Sequence, residues 1–189
     1  IMANQDAAFG LKAIGKVGQN RDNQGLSEYS IAANATAIYQ GDPVEMLATG
    51  TIGVAAAGDT LLMGPLTGVF YTDASTSKPT WANHLNASNT ATDIVGFVSD
   101  DPYERFEVQA DGATAAADVG LNADIVYAAG SSPDYVSKVE LQTSDQKAGT
   151  AQLRIMGISK DPSNDTAGSA NVNLVVMINE HFLKGTAGI

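Results

Sequence analysis

The sequence contains no cysteine among its 189 residues. Without thiols the chain can form neither a disulfide nor a thiolate metal site, and it has no cysteine nucleophile. Its stability must therefore come from packing or from oligomerisation. Histidine is also scarce, because only His84 and His181 are present. Neither falls in a spacing typical of metal binding or catalysis, so we expect no metal and no cofactor.

Charged and aromatic residues are also few. Charged residues make up 16% of the chain and aromatic residues 6%, whereas an ordinary soluble domain has about 25% charged residues. No apolar run approaches the roughly 18 residues of a membrane span, so we expect no membrane partner. Residues 2–6 are polar and acidic, which is not typical of a signal peptide.

The charge that is present is mostly negative, with a formal net charge of −11. Such a chain repels phosphate backbones, so we expect no nucleic-acid partner. The first 26 residues differ, because Lys12, Lys16 and Arg21 outnumber Asp6 and Asp22 there. Either so few charges in 26 residues carry no meaning, or the uneven distribution indicates that the N-terminal residues contact a surface that the acidic body does not.

Short runs of β-forming residues, separated by Gly, Asp and Asn, follow one another from residue 35 onward. Turn signals every 8–15 residues or so are typical of a sandwich or a barrel. Residues 106–109 and 171–175 alternate apolar and polar side chains, which predicts strands with one buried face. The strand candidates are residues 44–47, 51–54, 66–71, 93–98, 106–109, 124–127, 137–141, 151–158 and 171–178. We therefore predict an all-β fold, a small β-barrel or sandwich.

Residues 1–34 are predicted to form an extended N-terminal arm, separate from a β-rich body at 35–189. The body itself divides, on this interpretation, into two β-subdomains at about 35–110 and 111–189. The arm is rich in glycine and polar residues and cannot bury enough apolar surface to order by itself. It is therefore either a free terminus or ordered against a partner, and its scattered apolar residues favour the partner.

A long polar insertion at residues 72–92 contains Trp81 and His84. Loops of this length are usually functional or mobile. The segment at residues 94–102 also resembles the segment at residues 155–162, since both run from an apolar stretch with a central glycine into Asp-Pro. We interpret this similarity as a shared hairpin style rather than a duplication.

No catalytic motif is found, and we predict that the chain is not an enzyme. It contains no nucleophile elbow and no phosphate-binding loop. Acidic residues cluster at Asp100, Asp101 and Glu104, and again at Asp161 and Asp165. Their spacing does not match a calcium loop, and Asp-Pro is ordinary turn chemistry. A hydrolase that uses paired carboxylates is a third, weaker hypothesis.

Two stretches carry a resemblance to phage proteins. Residues 2–12, MANQDAAFGLK, and residues 15–25, GKVGQNRDNQG, resemble the start of virion structural proteins from marine tailed phages. Residues 37–44, AIYQGDPV, and the later GFV at 96–98 are similar in style to small β-barrel capsid decoration (cement) proteins. The chain is longer than the smallest of these proteins, and the insertion at 72–92 has no counterpart in the resemblance.

The resemblance implies a subunit that binds the outer surface of a tailed-phage head and stabilises the shell. Its partners would be the major capsid protein and, as a homotrimer, itself. We expect the arm to make the capsid contact, since it combines apolar anchors with basic side chains. The candidate interaction residues are Phe9, Leu11, Lys12, Ile14, Lys16, Val17 and Arg21.

A second hypothesis is a tail or fibre-associated β-sandwich module that binds host carbohydrate or a receptor. Trp81, Tyr71 and Tyr103, together with the 72–92 insertion, would then form the binding site.

Overall fold

The computed structural model describes residues 3–18, 25–58 and 61–184, and within them the chain forms strands and short turns without any α-helix. The strands are β1 Lys12–Lys16, β2 Ser27–Ser30, β3 Pro43–Met46, β4 Ile52–Val54, β5 Leu62–Thr72, β6 Pro79–Ala82, β7 Val95–Val98, β8 Glu104–Gln109, β9 Asn122–Ala123, β10 Ile125–Val126, β11 Glu140–Leu141, β12 Leu153–Ile158 and β13 Asn173–Ile178. Three 3-10 turns occupy Ala116–Asp118, Thr143–Asp145 and Phe182–Lys184. The prediction of an all-β fold is confirmed.

The second half of the chain, together with β1 from the N-terminal segment, builds a five-stranded antiparallel sheet in the order β1-β8-β13-β12-β9. Its inner face is apolar because alternate residues of β8, β12 and β13 point the same way. Phe106, Ile155 and Val176 are buried there, and Ile125 and Leu141 of the two-stranded β10–β11 sheet belong to the same core cluster.

The first half builds a six-stranded sheet in the order β2-β7-β5-β3-β4, with β6 also paired to β5. The long strand β5 holds this sheet together, since it pairs with β3 near its start and with β6 and β7 further along. A second apolar cluster lies against this sheet and includes Ile38, Leu66, Leu85 and Val98. Leu62 belongs instead to the first cluster, so the two halves share part of their core.

The chain passes from one sheet to the other close to the predicted subdomain boundary of about 110. Strands β2 to β7 belong to the six-stranded sheet, whereas β8 already belongs to the five-stranded one. The change of sheet therefore lies between Val98 and Glu104. The reason is that Phe106 and Val108 of β8 face the core of the second half.

The predicted arm, residues 1–34, also differs in the structure. Strand β1 pairs with β8 at the edge of the five-stranded sheet, and β2 pairs with β7 at the edge of the six-stranded one. Leu11 is only 2% exposed and belongs to the first core cluster. Leu11 thus finds its partner within the same chain rather than on another protein, whereas Ile14 and Val17 stay exposed.

The 72–92 insertion is partly regular structure rather than one long loop. Strand β6 pairs antiparallel with β5, so residues 73–78 are only the turn of a hairpin. Asp73 organises this turn by accepting hydrogen bonds from the backbone N–H groups of Ser75 and Thr76, at 2.9 and 2.8 Å. Further along, Leu85 is fully buried. Among the described residues, no helix is long and apolar enough to cross a membrane.

Candidate functional site

Side-chain amides of the body hold the first described residues in place. The Gln109 side chain accepts a hydrogen bond from the Ala7 backbone N–H at 2.8 Å and donates one to the Gln5 carbonyl at 2.9 Å. The Asn164 side chain accepts from the Gln5 N–H at 3.0 Å and donates to its carbonyl at 2.8 Å. Both amides are almost fully buried. They satisfy backbone groups that a strand partner would otherwise satisfy.

Two glycines allow the next part of the segment to approach the body closely. Gly10 has a φ of +73° and Gly41 a φ of +88°, a region that favours glycine. The Leu11 N–H donates to the Gly41 carbonyl at 2.9 Å. A Cβ atom on Gly10 would lie 2.5 Å from the Cβ of Ser137 and would also collide with the Gly41 carbonyl oxygen. We call residues 3–18 the anchored segment.

The anchored segment presents only some of the predicted capsid-binding residues. Leu11 is buried and cannot contact a partner, whereas Ile14 is 43% and Val17 47% exposed. Ile14 is the additional residue of a β-bulge between Ala13 and Gly15. Such bulges, and the lysines at both ends of β1, are common protections of an edge strand against unwanted pairing.

The basic residues of the predicted site have separate roles. Lys12 is exposed, whereas Lys16 forms an ion pair with Asp101 at 2.7 Å. This pair, of which Lys16 is the hydrogen-bond donor, is the main reason that the pKa of Asp101 is lowered. Phe9 is half-buried, and Arg21 lies outside the described residues.

A cleft of about 530 Å³ opens between the two sheets beside the anchored segment. It is lined by Phe9, Leu11, Lys12, Ala13, Gln40, Gly41, Pro65, Leu66, Thr67, Ser99, Glu107, Val136, Asp161 and Asn173. Its two carboxylates are already engaged, since Glu107 accepts a hydrogen bond from the Ser159 hydroxyl and Asp161 one from the Asn173 amide. These bonds favour a structural role for both carboxylates.

The outer face of the five-stranded sheet carries basic and apolar side chains. Arg105 alternates with buried residues of β8, and Arg154 alternates with buried residues of β12, so both point outward. The register pairs Val175 with Glu107 and Met177 with Arg154, which sets the two arginines on either side of Met177. We call the outward side chains of Lys12, Arg105, Arg154, Met156 and Met177 the basic face.

Neither arginine of the basic face is paired with a carboxylate among the described residues. Arg105 donates to the Lys16 carbonyl at 3.0 Å, and Arg154 donates to the Asn122 side-chain oxygen at 3.0 Å. Both acceptors are neutral. Lys184 lies nearby, since burial and then the charge of Arg154 lower the pKa of its ammonium group. Lys12, Arg105 and Arg154 thus share this face with one carboxylate of β8, Glu107, in a chain whose net charge is −11.

The outer face of the six-stranded sheet is apolar where β5, β6 and β7 meet. Phe70 pairs directly with Trp81 on β6 and with Val95 on β7, and the three side chains therefore share a face. Trp81 is 57% and Phe70 40% exposed. The Trp81 ring packs against Phe97, with a centroid distance of 4.8 Å. We call Phe70, Trp81, Val95 and Phe97 the aromatic face.

Gly68 explains the position of the Trp81 ring. A Cβ atom on Gly68 would lie 2.8 Å from Cζ2 of the indole, so only glycine leaves room for the ring above the strand. An aromatic ring that covers a cross-strand glycine stabilises a sheet. One side of the ring is held by the sheet while much of the residue stays exposed.

The three aromatic residues of the second sequence hypothesis do not come together. Tyr71 points to the opposite face of β5 from Phe70 and packs against the core cluster of the six-stranded sheet. Tyr103 lies on the turn before β8, with the Lys184 ammonium 4.8 Å above its ring. Of the three, only Trp81 belongs to the aromatic face.

Three buried ionisable groups have perturbed pKa values. Burial raises the pKa of Asp42 to about 6 and also raises the pKa of Glu104. Burial lowers the pKa of His181 to about 4. Each has one side-chain atom without a hydrogen-bond partner among the described residues: Oδ1 of Asp42, Oε1 of Glu104 and Nε2 of His181. No hydrogen bond joins any two of them in this part of the chain, so they do not form a proton-transfer pair.

The acidic clusters noted in the sequence form turns. In the first, Asp101 accepts from the Tyr103 N–H through its side chain at 2.8 Å and from the Glu104 N–H through its carbonyl at 3.0 Å. Asp161 makes the equivalent bonds with Ser163 and Asn164, at 3.0 and 2.9 Å. The two similar segments, residues 94–102 and 155–162, thus share a turn geometry. Residues 3–18, 25–58 and 61–184 contain no group of three ligands suited to a metal ion.

Several residues that shape these surfaces had no signal in the sequence. Gln109 and Asn164 are ordinary polar residues until the fold brings the anchored segment over them. Arg105 and Arg154 are 49 positions apart and share a face only through the strand order. Comparisons with protein families, curated proteins and solved structures found no match to this chain.

Proposed function

We propose that this chain is a structural subunit that binds the outer surface of a tailed-phage head and stabilises the assembled shell. The aromatic face carries this proposal, because two large aromatic side chains, Phe70 and Trp81, stay exposed on paired strands of the sheet. Contiguous exposed apolar surface marks interaction sites, and Trp is among the residues that most often dominate binding energy at interfaces.

The partner on this proposal is the major capsid protein, and self-association as a trimer follows from the resemblance. A subunit that binds only the assembled shell stabilises that state by mass action, and the effect is multiplied over many sites. Ile14 and Val17, from the set predicted as capsid-binding, offer a second apolar contact on the anchored segment. The strongly negative charge of the chain suits surfaces that stay in solvent.

Co-sedimentation with phage heads assembled without this chain tests the proposal. Removing the N-terminal residues would also remove β1 from its sheet, so point substitutions are the better tool. We expect saturable binding of the unmodified chain, and binding at least about tenfold weaker for Phe70→Ser/Trp81→Ala, which corresponds to about 1.4 kcal/mol.

The matched control is Leu47→Ser/Val119→Ser, which removes two other exposed apolar side chains. It should bind as the unmodified chain does. Ile14→Ser/Val17→Ser reports separately on the anchored segment. If the unmodified chain does not bind heads at any accessible concentration, the proposed function is wrong.

Carbohydrate binding is a second candidate function, favoured by the Trp81 ring that lies over Gly68 with much of its surface open. The apolar face of a sugar ring stacks well on such a surface. A glycan array with the unmodified chain and with Trp81→Ala tests it. Hits that are lost in the variant, together with no binding to heads, would favour this function over shell binding.

A further inference from the structure

We propose that the basic face binds a carboxylate-rich segment of a partner polypeptide. This proposal concerns the five-stranded sheet and is independent of the aromatic face and of the shell. It rests on the two outward arginines, on the apolar side chains between and beside them, and on the charge of the rest of the chain.

The first argument is the state of the arginines. Each guanidinium donates one hydrogen bond to a neutral oxygen, of Lys16 or Asn122, and has no carboxylate partner among the described residues. A guanidinium has five N–H donors in a planar fork that matches a carboxylate. Most of the donors of Arg105 and Arg154 are therefore available, and both residues are exposed.

The second argument is the spacing. Arg105 on β8 and Arg154 on β12 are separated by one strand, β13. Two strand spacings amount to about 10 Å. Two carboxylates on one extended or helical segment can reach both arginines at this separation. Lys12, exposed on β1, adds a further cation on this face, opposite Glu107 and two residues along β8 from Arg105.

The third argument is the apolar component. Met177 lies between the arginines, and Met156 is exposed at the bulge of β12. Methionine side chains adapt to irregular surfaces and recur at binding sites for polypeptides. A polypeptide can place apolar side chains over them while its carboxylates meet the arginines.

The fourth argument is charge complementarity, which also selects between classes of partner. The chain as a whole carries a net charge of −11, so a long polyanion that extended past the basic face would be repelled. A short acidic segment meets mainly cations, since Glu107, the carboxylate that shares this face, is half-buried and accepts a hydrogen bond from the Ser159 hydroxyl. Nucleic acid is therefore the less suitable partner, and the test includes it as an opposing outcome.

Fluorescence anisotropy of a labelled short peptide of alternating Glu and Leu tests the proposal with the full chain. We expect binding at about 20 mM salt that weakens clearly at about 300 mM, since exposed ion pairs are screened. Arg105→Gln/Arg154→Gln should bind at least about tenfold more weakly, because charge-assisted hydrogen bonds are the strong ones. Both side chains are exposed, so the fold should be retained, and a melting curve checks this.

The control is Lys78→Gln/Lys138→Gln, which changes the net charge by the same amount at two exposed positions outside the basic face. It should bind the peptide as the unmodified chain does. The proposal is overturned if this control weakens binding equally, if the peptide does not bind at low salt, or if duplex DNA of equal charge binds better than the peptide.

Discussion

Gly10→Ala is expected to release the anchored segment and to lower the melting temperature by about 4–20 °C. A non-glycine residue at φ +73° costs about 1–2 kcal/mol. The new methyl group would also collide with the Gly41 carbonyl and with Ser137, and overpacking adds about 1–3 kcal/mol. For a chain of this size, 1 kcal/mol corresponds to about 2–4 °C.

Gly168→Ala separates the cost of the positive φ from the cost of the collision. Gly168 has a similar φ of +78°, but a Cβ there would have no atom within 4 Å. Gly168→Ala should therefore show only the cost of the positive φ. Its melting temperature should fall by less than half as much as that of Gly10→Ala. Limited trypsin digestion provides a second measurement, since release of the segment should expose the bonds after Lys12 and Lys16. Equal melting temperatures and equal digestion of the two variants would contradict the close approach of Gly10 to the body.

Asp42→Asn is expected to stabilise the fold above pH 6, by up to about 3 kcal/mol. Burial raises the pKa of Asp42 from 3.8 to about 6, and one pKa unit corresponds to about 1.4 kcal/mol. The folded state thus binds this proton more tightly than the unfolded state does. Stability from this group is complete below about pH 4 and is lost as the pH rises towards 6.

Asparagine stays neutral throughout this range, and its side-chain oxygen can still accept the hydrogen bond of the Tyr39 N–H, now 2.8 Å from Oδ2. The difference in unfolding free energy between Asp42→Asn and the unmodified chain, from urea denaturation, should therefore grow between about pH 4 and about pH 6. It should be smallest at the acid end.

Protonation of His181 changes the stability with pH in the opposite direction, over nearly the same pH range. Because its pKa is lowered to about 4 in the folded chain, stability from this group falls as the pH drops below about 6.5. The effect is common to both proteins and cancels in their difference. Asp165→Asn, at an exposed position, is the control and should give a difference independent of pH. A less stable Asp42→Asn at pH 7.5 would contradict the prediction.

Local pattern was sufficient to predict many of the strands. The alternation in residues 171–175 lies within or next to β13, and the turn at residues 48–50 joins β3 and β4 in a hairpin. Each of these signals concerns residues close together in the chain. Binary patterning and turn residues act at that range, and here they agree with the fold.

The missed strands depend on distant partners. Strand β1 contains a bulge at Ile14, which interrupts the period of two, and it is a strand because the edge of β8 is available. Strand β6 begins at Pro79 within a polar stretch, and it forms by pairing with β5. Nothing within either segment requires an extended conformation.

The candidate surfaces were predictable only in part. Trp81 was named as a candidate binding residue, but its neighbours Phe70 and Phe97 follow from the register of β5, β6 and β7. Gln109 was expected to point outward, and it does, but residues 5 and 7 of the anchored segment cover it. Strand order and register are long-range properties, and a single sequence contains no direct record of them.

The pairing of β1 with β8 also sets an order of events during synthesis. Residues 12–16 leave the ribosome about ninety residues before their partners at 104–107, which is roughly 5–20 s at ordinary elongation rates. The Asn164 amide that holds Gln5 is made later still. Residues 5–16 are therefore among the last to fold, and a nascent chain exposes Leu11, which is buried in the folded chain, to chaperones and proteases until the second half is complete.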